Sequence, residues 1–287
     1  MSTVLKLGGE LLEDAAAVRS AAEAIVRLSG SGPLVVVHGG GRAIDNELRA
    51  RGESPRFVDG LRITDAAALD TVVSVLAGRT NTTLVAAIGA AGGRAVGLTG
   101  ADGRIGLSRR AAPLRTVAGE LADLGLVGEP NGTDASLLRD LLGIGCIPVV
   151  ASIGVDVNGV LLNVNADVLA AHLAAIMPAT RLIIAGGTAG VLDADGKTVP
   201  ELPVDAIAAM MASGVAHSGM VAKLGACRLA FTTGVTDISI VAGRGVSDFT
   251  TAAGTRLRPS GYGEAGSSRA SSSGAANQDT NTVETRG

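Results

Sequence analysis

The chain has 287 residues, of which 47% are hydrophobic, and a formal net charge of −3 at pH 7. Its length is sufficient for one large domain or two lobes with an ample core, and the mildly acidic balance argues against a nucleic-acid or polyanion surface. Glycine occurs 41 times and only four residues are aromatic, so the core must be built from Ala, Val, Leu and Ile.

No exported or membrane-spanning segment is predicted. The N-terminus is a strand that contains Lys6, not a charged region followed by an apolar block, which argues against a signal peptide. The uncharged run at residues 141–155 is short and is interrupted by three glycines and a proline. Cys146 and Cys227 lie in apolar sequence and predict reduced core thiols. We therefore expect a soluble, cytoplasmic protein without a membrane partner.

The first predicted strand ends in an unusual sequence. Apolar residues surround Lys6, and the pair Gly8-Gly9 must end the strand. A buried lysine at a strand end is costly unless an anion lies there, and glycines let backbone N–H groups approach a ligand closely. The stretch favours a phosphate site, although an ordinary tight turn with Lys6 reaching water fits the same residues.

A second unit of the same kind follows. Asp14 can cap a helix that runs to about Leu28, and residues 33–37 form a continuous apolar run typical of a strand buried on both faces of a parallel sheet. His38-Gly39-Gly40-Gly41 ends this strand, and a helix is predicted over residues 42–51. Two successive strand–glycine turn–helix units favour a doubly wound α/β sheet with ligands at the carboxyl ends of its strands.

The remaining elements alternate in a similar way. The sequence predicts a helix over residues 65–91, a strand over 94–98, short strands and turns over 99–128, a helix over 135–142, a strand over 147–151, a hairpin turning at 158–159 and an alanine-rich helix opened by residues 165–167. After a boundary at Pro178 it predicts a strand over 181–185, helices over 203–213 and 219–233, and strands over 237–241 and 255–257. Residues 258–287 contain almost no large apolar side chain, which predicts a disordered tail.

Several familiar sites are excluded by spacing. Asp195-Gly196-Lys197-Thr198 lacks the earlier glycine of a Walker A loop, since position 191 is Val, and predicts a hairpin turn. The three histidines lack zinc-site spacing, and no serine lies in a G-x-S-x-G elbow. Glycine turns, two lysines, an arginine and an aspartate suit phosphoryl transfer, where the protein mainly positions groups and neutralises charge.

Five motifs in a fixed order narrow the interpretation. The chain contains, in this order, Lys6-Leu7-Gly8-Gly9, His38-Gly39-Gly40-Gly41, Gly60-Leu61-Arg62-Ile63-Thr64, Asn163-Val164-Asn165-Ala166-Asp167 and Gly219-Met220-Val221-Ala222-Lys223. Together they resemble the amino acid kinase family, and within it the members that phosphorylate N-acetyl-L-glutamate in arginine biosynthesis. The resemblance covers about residues 3–257.

The resemblance implies an α/β fold with a mostly parallel central sheet sandwiched between helices. It implies an N-terminal lobe, residues 1–177, that binds the acyl-amino acid and dimerises, and a C-terminal lobe, residues 178–257, that binds ATP with Mg²⁺ carried by the nucleotide. The implied reaction is ATP-dependent phosphorylation of the side-chain carboxylate of N-acetyl-L-glutamate to N-acetyl-L-glutamyl 5-phosphate. No metal site built from the protein alone is expected.

The resemblance also assigns residues. Lys6 would lie against the transferring γ-phosphoryl group, Lys223 would hold the leaving phosphates, and Asp167 would lie between the lysines and orient both. Arg62 and Asn163 match the pair expected on the substrate α-carboxylate. Backbone N–H groups would be offered to the phosphoryl oxygens and the reacting carboxylate by four glycines, Gly8, Gly9, Gly40 and Gly41.

The chain departs from the usual family pattern at one glycine turn, and two alternatives stay open. Where relatives usually carry an acid at position 187, this chain has Gly186-Gly187-Thr188, which bears on ATP binding. The chain starts directly at its first strand, as in the short, arginine-insensitive dimeric type. The alternatives are a kinase for carrier-protein-linked aminoadipate or glutamate, which would act only on the carrier-bound substrate, and a non-catalytic regulatory relative, which would bind acetylglutamate without turnover.

Overall fold

A mixed, mostly parallel sheet of eight strands forms the centre of the computed structural model, which describes residues 2–116, 119–177, 179–212 and 218–259. The strands of this described part are β1 (Thr3–Leu7), β2 (Leu34–His38), β3 (Phe57–Val58), β4 (Leu61–Arg62), β5 (Ala95–Thr99), β6 (Ser108–Arg110), β7 (Leu114–Arg115), β8 (Leu121–Ala122), β9 (Val127–Pro130), β10 (Ile147–Ala151), β11 (Ile153–Val155), β12 (Leu161–Val164), β13 (Arg181–Gly186), β14 (Glu201–Pro203), β15 (Asp237–Ala242) and β16 (Gly254–Arg258).

Helices connect most of the central strands. The α-helices in the same residues are α1 (Ala15–Ser29), α2 (Gly41–Ala50), α3 (Ala66–Val73), α4 (Asn81–Ala90), α5 (Ser136–Gly143), α6 (Ala166–Ile176), α7 (Ala206–Ala212) and α8 (Ser218–Thr232). Short 3₁₀ turns occur at Gly9–Leu11 and Asp102–Arg104. As predicted, Asp14 caps α1 by accepting a hydrogen bond from the N–H of Ala17.

The strand order of the central sheet is β14-β16-β15-β13-β1-β2-β10-β5. Only β15 and β16 pair antiparallel; every other neighbouring pair is parallel, so the predicted fold class is confirmed. A smaller sheet, ordered β11-β12-β9-β6, lies beside it. Since β1 has β2 on one side and β13 on the other, the carboxyl ends of these three strands meet at one edge of the sheet.

Successive side chains of β1 alternate between the two faces of the central sheet, and this alternation decides which helices each of them contacts. Leu5 and Leu7 pack with α1 and α4 on one face, whereas Val4 packs with α6 and α8 on the other. Each such fully buried side chain contributes about 1.5–3 kcal/mol. Because successive side chains point to opposite faces of a strand, Lys6 is directed to the same face as Val4, toward the start of α6.

Most predicted elements are confirmed, with three differences. The single predicted helix over 65–91 is α3 and α4 joined by a π-helical segment, Ser74–Thr80. The strand β14 was not predicted, because three residues that follow Pro200 and include Pro203 carry little strand signal, and the helix predicted from residue 203 begins instead at Ala206. The predicted tail begins one residue too early, since Arg258 closes β16 and its side chain bonds Glu201; residues 260–287 lie outside the described residues.

The stretch Ala66–Ala90 is apolar and long enough to cross a membrane, with a mean hydropathy of 1.3 over its most apolar window. In the folded chain this stretch packs into the protein. Val72, Val75 and Leu76 join the cluster formed with α2, and Leu84 and Ile88 join the cluster formed with α1. These contacts cover one side of the stretch and leave the other side open.

Candidate active site

Three glycine-containing turns lie side by side at the carboxyl edge of the central sheet. Leu7 is in register with His38 of β2 and with Ala185 of β13. The turns that follow these residues are therefore adjacent, although the sequence separates them widely. This is the edge at which open α/β sheets bind ligands.

A buried ion pair lies beneath this edge. The ammonium nitrogen of Lys6 is 2.9 Å from Oδ1 of Asp167, and each residue is only 5% exposed. Asp167 is placed in the first turn of α6 because Asn165 caps that helix, accepting hydrogen bonds from the N–H groups of Asp167 and Val168. A carboxylate is favoured at this position because a helix N-terminus carries partial positive charge.

The second lysine reaches the same carboxylate from α8. The ammonium nitrogen of Lys223 is 3.7 Å from Oδ2 of Asp167, and its side chain is 17% exposed. The whole sequence contains three lysines, and two of them converge on this one buried acid. The structure thus brings together the predicted trio, Lys6, Asp167 and Lys223.

A cavity of about 290 Å³ opens on the Lys6 side of the trio. Arg62 projects into it from β4 with a side chain only 8% exposed. The guanidinium lies 4.7 Å from the centre of the Phe57 ring, and its Nη2 donates to Oδ1 of Asp45 at 2.6 Å. Its Nη1 is buried and has no hydrogen-bond partner among the described residues. A buried guanidinium nitrogen without an acceptor is suited to a ligand carboxylate.

Asn163 lines the same cavity from β12. Its backbone N–H donates to the carbonyl of Leu126, and its side-chain amide donates to the hydroxyl of Thr64 at 3.0 Å. These bonds fix the amide on the cavity wall, and its oxygen accepts no hydrogen bond from the residues that the structure describes. Arg62 and Asn163, predicted from sequence to act together, therefore border one cavity.

The glycine turns touch one another. A Cβ on Gly9 would lie 2.8 Å from Cα of Gly40, so the turn after β1 could not accept a side chain at this point. The N–H groups of Gly9, Gly40 and Gly41 donate to no acceptor within the described chain, which leaves them available to a ligand as predicted.

Gly8 differs from the prediction. Its N–H donates to the carbonyl of Ala185 at 2.8 Å, continuing the pairing of β1 with β13. It is therefore not a free donor for a phosphoryl oxygen, which corrects the predicted role of this N–H. Its missing side chain matters instead, because a Cβ there would collide with the carboxyl group of Glu10.

A second and larger cavity, about 620 Å³, opens on the Lys223 side of the trio. Its walls are mainly apolar and are formed by Gly187, Thr188, Gly190, Val191, Leu192, Met210, Met220 and neighbouring residues of the 193–196 turn. That turn is the predicted hairpin, in which the N–H of Asp193 donates to the carbonyl of Lys197. An apolar cleft ending at a lysine is suited to a planar base with a phosphate chain.

His38 supports the turn without reaching either cavity. It is completely buried, Nδ1 lies 3.1 Å from the carbonyl of Gly39, and Nε2 lies 3.0 Å from the side-chain amide nitrogen of Asn81. These partners fit a neutral ring that donates from Nδ1 and accepts at Nε2. Burial lowers the pKa of His38 from 6.5 to about 4, against the smaller opposite effect of the Gly39 carbonyl.

Two acids beside the site were not anticipated. Glu10 borders both cavities, and Asp45 holds Arg62 from behind. In the sequence Glu10 directly follows a glycine pair, and a charged residue at such a turn is readily interpreted as a solvent-exposed side chain. Asp45 lies one turn into α2, on the face that also carries Gly41.

Comparison with known proteins agrees with this geometry. The profile described as "Amino acid kinase family" matches residues 1–242. Acetylglutamate kinase of Methylobacterium nodulans is 40% identical over 84% of this chain and 81% of its own length, and that of Methanoculleus marisnigri is 39% identical over 84% and 85%.

Solved structures share the fold. N-acetylglutamate synthase of Neisseria gonorrhoeae, solved with coenzyme A and N-acetyl-glutamate, superposes with a TM-score of 0.76 at 24% identity, and the match covers 90% of this chain but 59% of that longer one. Giardia carbamate kinase gives a TM-score of 0.63 at 16% identity over 90% and 98% of the two chains.

Fold and relatives together define a small-molecule kinase of the α/β class. The chain belongs to the amino acid kinase family, as the family profile and relatives at about 40% identity establish.

Proposed function

We propose that this protein transfers the γ-phosphoryl group of ATP to the side-chain carboxylate of N-acetyl-L-glutamate, forming N-acetyl-L-glutamyl 5-phosphate in arginine biosynthesis. The cluster of Lys6, Asp167 and Lys223 between two cavities is the observation that carries the proposal. The choice of acceptor is supported by relatives named acetylglutamate kinase that cover most of the chain.

In this proposal the two lysines act on opposite sides of the reacting phosphorus. A carboxylate oxygen of the acceptor attacks the γ-phosphorus while the bond to the bridging oxygen of ADP breaks, so no side chain need remove a proton. Lys6 neutralises charge on the transferring group and Lys223 neutralises charge on the departing phosphates. Asp167 holds both ammonium groups in place, since they would otherwise repel each other.

The smaller cavity is assigned to the acceptor. Nη1 of Arg62 and the amide of Asn163 would hold the α-carboxylate. The free N–H groups of Gly40 and Gly41 would hold the reacting carboxylate, and that of Gly9 would contact the phosphoryl oxygens. Holding both partners at fixed positions supplies most of what phosphoryl transfer requires from a protein.

The larger cavity is assigned to the nucleotide. ATP would bring magnesium with it, and the ion would neutralise phosphate charge. The described residues contain no group of three or more His, Cys, Asp or Glu side chains suited to a metal, so the phosphates would supply most of its ligands. We assign residues 1–177 to the acyl-amino acid and residues 178–257 to ATP.

We also propose a cytoplasmic homodimer. The helical stretch Ala66–Ala90 is apolar, yet only 33% of its most apolar window is buried in the single chain. It lies beside β5, an edge strand of the central sheet. A second copy placed here would cover both the apolar helix and the open strand edge.

An acyl-hydroxamate assay with Mg–ATP tests the function, because hydroxylamine traps acyl phosphates. N-acetyl-L-glutamate, L-glutamate and L-aspartate are compared at equal concentration. The proposal predicts product from N-acetyl-L-glutamate alone. Absence of product from it, with product from a carrier-bound substrate, would contradict the assignment of the acceptor.

A further inference from the structure

Glu10 occupies the boundary between the two cavities. It is the only acidic side chain among the described residues that borders both of them. Its Oε1 accepts a hydrogen bond of 2.7 Å from the N–H of Gly187, which joins the turn after β1 to the turn after β13. The proposed transfer of a phosphoryl group between the two cavities would therefore take place near this carboxylate.

The carboxylate of Glu10 lies in space that three glycines leave open because they lack side chains. A Cβ on Gly8 would collide with the carboxyl atoms of Glu10, one on Gly186 would lie 3.1 Å from Oε1, and one on Gly187 would lie 3.4 Å from Cγ. Position 187 is also where the family resemblance leads one to expect an acid. The chain thus has no acid on the β13 turn itself, but Glu10 places a carboxylate on the N–H of that same turn.

No cationic side chain of residues 2–116, 119–177, 179–212 or 218–259 neutralises this carboxylate. Within the described chain, Glu10 forms no ion pair within 4.0 Å, and its Oε2 accepts no hydrogen bond. Arg244 donates to the backbone carbonyl of Glu10 and not to its side chain. Lys6 is paired with Asp167, and Lys223 faces the same acid. The carboxylate therefore lies in a phosphate passage without a partner of opposite charge.

An ionised carboxylate beside a phosphate chain is repulsive unless a cation lies between them. The two lysines and the two acids of this boundary cancel in charge, so the protein alone adds no net positive charge for the phosphates of ATP. Magnesium is commonly bound by one or two carboxylates together with substrate phosphates and several waters. A single carboxylate with one free oxygen meets that requirement.

We propose that Glu10 supplies a carboxylate oxygen to the magnesium ion that accompanies ATP, an inference that rests on the kinase function proposed above. Gly187 holds Oε1 and so directs Oε2 to the cation. The nucleotide remains the main carrier of the metal, and Glu10 adds the protein's contribution to its affinity and position.

The test measures metal binding without turnover. Mn²⁺ affinity is measured by electron paramagnetic resonance with saturating AMP-PNP and no acceptor, for wild type, Glu10→Gln and Glu13→Gln. Glutamine keeps an oxygen for the N–H of Gly187 but removes the charge. Glu13 is the matched control, since it lies three residues away, pairs with Arg42 and borders neither cavity.

We expect Mn²⁺ to bind E10Q about 10- to 100-fold more weakly, in the range found when groups that support a metal are removed, and to bind E13Q as it binds wild type. Unchanged Mn²⁺ affinity in E10Q, together with tighter binding of metal-free AMP-PNP, would overturn the proposal. It would show that Glu10 occupies the phosphate position in the empty site and is displaced when the nucleotide binds. Failure of folded wild type to bind AMP-PNP with either Mg²⁺ or Mn²⁺ would contradict the kinase function itself, and the proposal with it.

Discussion

Lys6 and Asp167 lie 2.9 Å apart, and each is 95% buried. Neither charge could remain in this position alone, because burial of an isolated ion costs several kcal/mol. The pair therefore ties the end of β1 to the start of α6, and holds the ammonium group at the junction of the two cavities. Fold stability and the proposed chemistry depend on the same contact.

Replacing Asp167 by Asn should affect both properties. The variant leaves Lys6 buried without a counter-charge, so we expect the free energy of unfolding to fall by about 3–5 kcal/mol. Loss of an oriented electrostatic group should lower kcat by about 10²–10³-fold. Urea unfolding and steady-state kinetics measure the two effects. Glu129→Gln, which breaks an exposed pair with Arg109, should change neither the free energy of unfolding nor kcat. A D167N variant that likewise changes neither quantity would refute the role of the Lys6–Asp167 pair.

Arg62→Lys should act on acceptor binding. Lysine can neither stack on Phe57 nor use two nitrogens at once, so it loses a charged hydrogen bond worth about 1.5–3 kcal/mol. We expect KM for N-acetyl-L-glutamate to rise about 10- to 100-fold, with little change in kcat or in KM for ATP. Arg109→Lys, on an exposed strand, is the control. A rise in KM for ATP alone would show that the two cavities are assigned the wrong way round.

His38 should make stability depend on pH. Its pKa is about 4 in the folded protein because of burial and about 6.5 in the unfolded chain, so the unfolded state binds the proton more readily between these values. Stability is complete above pH 6.5 and falls as the pH drops toward 4, by about 3 kcal/mol from this group.

The measurement is urea unfolding of wild type and His38→Gln from pH 4 to 7. Glutamine can still accept from Asn81 but does not titrate, so the variant should lose stability less steeply on acidification. Parallel pH profiles for the two proteins would show that protonation of the His38 imidazole in the folded protein does not lower its free energy of unfolding.

The two cysteines should be unreactive in the folded protein. Cys146 is 5% exposed and Cys227 is completely buried, and burial with the nearby charge of Asp167 raises the pKa of the Cys227 thiol. A thiol reagent such as DTNB should label neither residue under native conditions and both in urea. Rapid native labelling of Cys227 would contradict the packing of α8 against α6.

Sequence predicted those features that depend on local pattern. The glycine turns after β1 and β2 marked the ligand-binding edge of the sheet, whereas Lys6 and Asp167 were assigned to one site by the family resemblance and not by a local pattern. Contacts between distant turns were not predictable in the same way. Gly8 uses its N–H because β13 lies beside β1, and Glu10 reaches Gly187 across 177 residues.

The central claim is that phosphoryl transfer takes place at the two lysines that flank Asp167, and the third lysine provides its control. Lys197 lies in an exposed turn and borders neither cavity. The measurement is kcat in the acyl-hydroxamate assay for Lys6→Met and Lys197→Met, with folding checked by circular dichroism. We predict a loss of about 10²–10³-fold for K6M and wild-type activity for K197M. Wild-type kcat in folded K6M would contradict the account.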